Sequence, residues 1–156
     1  MNKTCVLVLD NIRSVENVGS IFRTAEGLGV SKVYLIGTTP TPLDRFGRKR
    51  SDMAKVALGA EEILEWEHRE NIVEVLDELK SQNFQIISLE QSEKSHDLNS
   101  FESQDIFALV VGNEVDGVSK EALEVSDEIV EIEMRGKKES LNVSVSTGIA
   151  LYELLK

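Results

Sequence analysis

The sequence predicts an α/β domain, a parallel sheet sandwiched between helices in an α/β/α arrangement, and three observations carry that reading. Short apolar runs rich in β-branched residues recur at 5–9, 33–36, 63–66, 84–89, 106–111 and 129–132, each of strand length. Helical periodicity separates most of them. The runs are nearly all apolar rather than alternating, as in strands buried on both faces, and such strands form parallel sheets covered by helices on each side.

Taken in order, the first run, Cys5-Val6-Leu7-Val8-Leu9, leads into a helix on which Ile21, Ala25 and Leu28 share a face, with Gly29 placed to end it. After the run at 33–36, residues 38–50 hold both prolines, Pro40 and Pro42, together with Gly47, and Gly37 precedes them. Such a segment continues neither strand nor helix and reads as a long exposed loop. Ile72, Val75, Leu76 and Leu79 share a second helical face, and Ile149, Leu151, Tyr152 and Leu155 form a closing helix. No repeat or low-complexity linker divides the chain. With 156 residues, enough for one ordinary core, residues 1–156 are expected to form a single domain.

Composition excludes several classes. Cys5 is the only cysteine, so no internal disulfide and no cysteine metal cluster can form, and the residue reads as a small buried strand position. His68 and His96 lack the short spacing of a metal motif and read as surface residues. No apolar run approaches the ~20 residues of a membrane span, and no charged-then-apolar leader opens the chain. A soluble, cytoplasmic protein without metal or membrane partner is expected.

With 17 basic and 28 acidic side chains the formal charge is −11, which at first sight argues against a nucleic-acid partner. Distribution matters more than the sum. Acidic residues crowd 61–78 and 121–133, whereas Arg45, Arg48, Lys49, Arg50 and Lys55 cluster with few acids among them, and Arg135, Lys137 and Lys138 form a second group. Each basic group reads either as a local RNA-phosphate face or as a solvated loop. Phe46 and Trp66 have the rings to stack on bases, although Trp66 lies in a strand-like run that also fits the core.

The usual nucleotide signatures are absent: the first strand runs into Asp10-Asn11-Ile12-Arg13-Ser14 rather than a glycine-rich turn, and no Gly-Lys-Ser/Thr occurs. Three other segments stand out. In Asn17-Val18-Gly19-Ser20-Ile21-Phe22-Arg23-Thr24-Ala25, Asn17 can cap the helix, Gly19 permits close backbone approach and Arg23 lies beyond them. Val110-Val111-Gly112-Asn113-Glu114-Val115-Asp116-Gly117-Val118 is a buried strand opening into a polar turn. Ile132-Glu133-Met134, a basic loop, and Ser140-Leu141-Asn142-Val143-Ser144 make the third. In an open α/β sheet the last two would lie at the carboxyl ends of strands, where ligands bind.

Together with the intervening Ala57-Leu58-Gly59-Ala60-Glu61, these segments resemble the three motifs of the SpoU (TrmH-like) family of 2′-O-ribose RNA methyltransferases, within the SPOUT class, over nearly the whole chain. The resemblance implies a deep trefoil knot in the C-terminal part, an exception to the rule that folds avoid knots. It also implies S-adenosylmethionine as cofactor, tRNA or rRNA as partner, and a homodimer built on the motif-one and C-terminal helices. Residue by residue, Arg23 matches the catalytic arginine and Asn17 the asparagine that helps place it. Glu114, Ser140 and Asn142 match the remaining reaction-centre positions. Gly112, Ile132 and Leu141 match cofactor-holding positions, with Leu89, Val111, Asn113 and Met134 as neighbours. Where many members have proline before the motif-three methionine, this chain has Glu133.

Each match also has a structural explanation. Asn17 fits a helix cap, Gly112 and Gly117 fit turns, Ser140 and Asn142 fit the cap of the last helix, and Arg23 can pair with Glu26. Methyl transfer from sulfonium to a ribose oxygen needs donor and acceptor in line and stabilisation of an alkoxide-like oxygen. Half-neutralising a guanidinium at pH 7 costs about 7 kcal/mol, so Arg23 is expected to act mainly as an oxyanion and phosphate clamp. Three competing readings keep part of this: a knotted base methyltransferase, a non-catalytic RNA-binding dimer, and a flavodoxin-like flavin-binding domain.

Overall fold

The structure, a computed structural model, describes residues 2–156. Along the chain run β1 (Thr4–Asp10), α1 (Val15–Gly27), β2 (Lys32–Ile36), α2 (Ser51–Ala57), α3 (Ala60–Ile63), β3 (Glu65–Arg69), α4 (Ile72–Ser81) and β4 (Gln85–Leu89). There follow β5 (His96–Asp97), a 3-10 turn at Leu98–Ser100, β6 (Ile106–Gly112), α5 (Lys120–Val125), β7 (Glu128–Glu131) and α6 (Val143–Leu154). The seven strands form one sheet in the order β3-β2-β1-β6-β4-β7-β5, and every pairing is parallel.

Side chains on a strand alternate between faces, and on β1 both faces are buried. Cys5, Leu7 and Leu9 enter one core with Ile21, Phe22 and Ala25 of α1, Met53 of α2, Ala60 of α3 and Leu151 of α6. Val6 and Val8 enter the other core, with Val75, Leu76 and Leu79 of α4 and Ala122 of α5. Helices therefore cover both faces, as the apolar runs predict. The two edge strands are the polar ones, β3 reading Glu-Trp-Glu-His-Arg and β5 only His-Asp. Blunt, charged edges of this kind resist pairing with other chains.

Two sequence expectations need correction. The strand expected at 63–66 begins later and runs further: Ile63 ends α3 and is exposed, while β3 covers Glu65–Arg69. The apolar stretch spans a helix end and a strand start, which a short window cannot separate. Nor does Asn17 cap α1. Ser14 does, its hydroxyl accepting the Asn17 backbone N–H at 3.1 Å, and this leaves the Asn17 side chain free for other partners.

Candidate active site

Parallel order brings the carboxyl ends of β1, β4, β6 and β7 to one edge, and the segments that follow them meet there. The turn after β6 is held by Asn113, whose side-chain oxygen accepts the backbone N–H groups of Val115 and Asp116 at 2.8 and 3.0 Å. Its amide donates to the Asn11 carbonyl at 2.7 Å, tying this turn to the end of β1. Gly112 is required by space: a Cβ there would lie 2.1 Å from the Val118 nitrogen and 2.2 Å from the Gly117 carbonyl carbon. Both are backbone atoms that cannot swing aside.

Asp10, buried at the end of β1, accepts the Ser119 N–H at 2.8 Å and so fixes the start of α5. Beyond β4, Glu90 accepts the Val118 N–H at 2.9 Å and the Gln91 N–H at 3.0 Å. The Gln91 side chain donates to the Glu139 carbonyl at 2.7 Å. Glu90 and Gln91 thus fasten the segment after β4 to those after β6 and β7. The sequence reading missed Asp10, Ser14, Glu90 and Gln91. The only signal available for them was a polar residue at or just beyond the end of an apolar run.

Glu114 links the second segment to the first. Its carboxylate accepts the backbone N–H groups of Arg13 and Ser14 at 3.2 and 3.0 Å and the Asn17 side-chain amide at 3.4 Å. Partial burial pushes its carboxyl upward. The N–H groups of Glu114 itself, Arg13 and Ser14, with the Asn17 amide, outweigh this and hold the carboxyl below its ordinary range. Asn142 brings in the third segment. Its amide donates to the Asn17 side-chain oxygen at 3.2 Å while its own oxygen accepts from Ser144 and Val145 as the N-cap of α6. A cap and a bridge are both present in one side chain.

A cleft of about 600 Å³ opens beside this network, lined among others by Gly112, Asn113, Glu114, Ser140, Leu141 and Asn142. It shares Glu90, Ser140, Leu141 and Ser146 with a smaller cleft of about 150 Å³ that adds Leu89, Ile132 and Met134. Apart from Val111, whose side chain lies in the core, the expected cofactor residues therefore line one continuous depression. The larger cleft is mainly polar, with Glu90, Asn113, Glu114, Asp116, Ser140 and Asn142 around it, and the smaller one adds the apolar Leu89, Ile132 and Met134. Polar and apolar parts side by side suit a cofactor of nucleoside size. Glu133 is exposed and faces Arg135 at 3.4 Å.

Arg23 stands apart. It is exposed on α1, about 120° round the helix from Asn17 at ~100° per residue. It lines neither cleft, and among the described residues it forms no ion pair, with Glu26 or any other acid. The basic segment is also less free than its sequence implies. Arg48 pairs with Asp44 at 3.0 Å, Arg50 with Asp52 at 2.9 Å and Lys49 with Glu62. Arg45 and Lys55 have no such partner among the described residues. Among those residues, too, no helix is long and apolar enough to cross a membrane, and no group of His, Cys, Asp and Glu could hold a metal ion.

Comparison with known proteins fits this arrangement. Residues 4–152 match the model of the SpoU rRNA Methylase family, and the chain belongs to that family. It is 34% identical over 151 residues to a tRNA (guanosine(18)-2'-O)-methyltransferase of Aquifex aeolicus, covering 97% of this chain and 68% of that protein. It is 37% identical over 148 residues to the 23S rRNA (guanosine-2'-O-)-methyltransferase RlmB of Neisseria meningitidis, covering 95% of this chain and 56% of that one. The fold is that of the AdoMet-bound rRNA methyltransferase from Sinorhizobium meliloti, with a TM-score of 0.86 at 23% identity over 98% of this chain and 56% of the other.

Proposed function

We propose that this chain is an S-adenosylmethionine-dependent RNA methyltransferase acting on a ribose 2′-hydroxyl of tRNA or rRNA. The observation that carries the reading is the hydrogen-bonded chain from Glu114 through Asn17 to Asn142, which joins three distant segments at the mouth of one cleft. Family membership supports it, and so do the activities of the Aquifex and Neisseria proteins. Those two differ in substrate, so both RNA classes stand.

The residues present fit the cofactor. Backbone groups around Gly112, Ile132 and Leu141 would hold it, with Leu89 and Met134 against its apolar parts and Asn113 supporting the turn. When bound it supplies an electrophilic methyl group on a sulfonium. Asn17, Glu114, Ser140 and Asn142 line or brace the mouth of the cleft where the ribose hydroxyl must enter. Arg23, exposed on α1 and lining neither cleft, clamps the neighbouring phosphate and, where the bound RNA carries the ribose to it, stabilises the oxygen as its proton leaves to phosphate or solvent. The same reading includes a single domain with a C-terminal trefoil knot, supported by the meeting of the segments after β4, β6 and β7. It also includes a homodimer through α1 and α6.

Mapping 2′-O-methylation in cellular RNA with and without this protein tests the activity, and one ribose mark lost with the protein is the expected result. Loss of a base methylation instead would transfer the chain to the base-modifying class. Calorimetry with a chelator present should show S-adenosylmethionine binding unchanged.

A further inference from the structure

Phe46 is 67% exposed at the tip of the 37–50 loop and belongs to neither core. A single exposed apolar ring is ordinary by itself, and it is the setting of this one that marks it. Its neighbours are guanidinium groups: the central carbons of Arg45 and Arg48 lie 4.9 and 5.0 Å from the ring centre. The tip is built to hold this pose. Asp44 accepts the backbone N–H groups of Phe46 and Arg48, both at 2.9 Å, and the Arg48 Nε at 3.0 Å. Leu43 and Lys49 pair as antiparallel neighbours beneath it, and Gly47 takes φ +77°, a conformation that favours glycine.

The root of the loop is fixed to the site edge. The Asn11 side-chain oxygen accepts the Thr38 N–H at 2.9 Å, and the Asn11 carbonyl accepts from Asn113. The loop thus springs from the same sheet edge as the cleft. Its charge is blunted, because Arg48, Lys49 and Arg50 each face a carboxylate and the chain as a whole carries −11. Stacking needs no net charge. The two guanidiniums lie over the ring on long flexible stems, so an unpaired base can displace one, stack in its place and offer its flanking phosphates to the groups it moves, and exposed ion pairs exchange partners at little cost.

We propose that Phe46 is a stacking platform for one unpaired base of the RNA, with Arg45 and Arg48 gripping the phosphates beside it. This rests on the RNA methyltransferase reading. The test uses a synthetic stem-loop RNA with 2-aminopurine in its loop, titrated at several salt concentrations against the wild type, Phe46→Ala, Phe46→Trp and Arg45→Ala. Phe46→Ala is expected to bind between about 5-fold and 150-fold more weakly, the range into which ~1–3 kcal/mol of stacking converts. Its salt slope should be unchanged and the 2-aminopurine quenching lost. Phe46→Trp should restore both affinity and quenching, and Arg45→Ala should lower the salt slope by up to about one. Equal affinity and quenching for wild type and Phe46→Ala would remove the stacking platform and leave the RNA reading intact. A loss in Phe46→Ala that comes with a lower slope and is not restored by tryptophan would make the ring a mere spacer for the arginines, and would also overturn it. A wild type that binds S-adenosylmethionine but no RNA at any salt concentration would remove the RNA reading and this proposal together.

Discussion

Glu114 accepts from two backbone N–H groups at the start of α1 and from Asn17, so its charge is coupled to folding of the site. Its carboxyl is held below the ordinary range in the folded protein. The stability it contributes is therefore fully present above the unfolded value of about 4.3 and is lost as the pH falls through the lower folded value. Thermal unfolding of wild type and Glu114→Gln should differ at pH 7 and converge as the pH drops below about 4.3. A difference that does not change with pH would assign the role to shape instead of charge. Arg23 makes the opposite prediction, since it is exposed and forms no ion pair among the described residues. Arg23→Ala should leave melting temperature and S-adenosylmethionine affinity nearly intact while single-turnover methyl transfer falls by about 100-fold or more, as for a lost oxyanion donor. Lysine should rescue poorly because it lacks the planar fork. Near-normal transfer at saturating RNA would end its catalytic assignment.

At the scale of elements, the segment after β4 adds few residues to the cofactor cleft but fastens the segments that form it, and it carries the least sequence signal. Glu90 uses both carboxylate oxygens on backbone N–H groups, one of them in the turn after β6. Glu90→Ala should weaken S-adenosylmethionine binding by about tenfold or more, the scale of a hydrogen bond to a charged acceptor, with Glu90→Gln recovering part of it in calorimetry. Equal affinities for all three proteins would show that the turn holds itself. The central strands were legible because period and apolarity report burial directly. The edge strand β3 was not, since half-buried Glu67, His68 and Arg69 carry no apolar pattern, and α2 follows a loop whose prolines and basic residues obscure its start. The site divided in the same way. Gly112, Glu114 and Asn142 could be matched because motif spacing survives in sequence. Ser14 as cap and the Asp44–Arg48 and Arg50–Asp52 pairs are local contacts that competed with Asn17 and with a free basic run for the same signal. Lys49–Glu62 and the Glu114–Asn17–Asn142 chain, in contrast, depend on folded neighbours that spacing does not encode.

For the whole molecule, one apolar face left over after both cores are filled lies between α1 and α6. Val145, Ile149 and Tyr152 are 51%, 43% and 66% exposed, and with Ser20, Thr24, Gly27, Leu28 and Gly148 they line a groove of about 600 Å³. Small residues on the helices let another chain approach closely, and the apolar side chains beside them give it area to bury. In the homodimer proposed above, this face would meet its own copy across a two-fold axis. The face also lies next to the site, because Asn142 caps α6 and Asn17 belongs to α1. Tyr152→Asp would set a carboxylate in the centre of that contact, and burying an unpaired charge costs several kcal/mol. Light scattering at micromolar concentration should therefore find a dimer for the wild type and a monomer for Tyr152→Asp. Because Tyr152 is mostly exposed in the single chain, the variant's circular dichroism should stay native, which separates lost association from lost folding. A wild type that scatters as a monomer would refute the dimer, and a variant that remains a dimer would move the interface to another face.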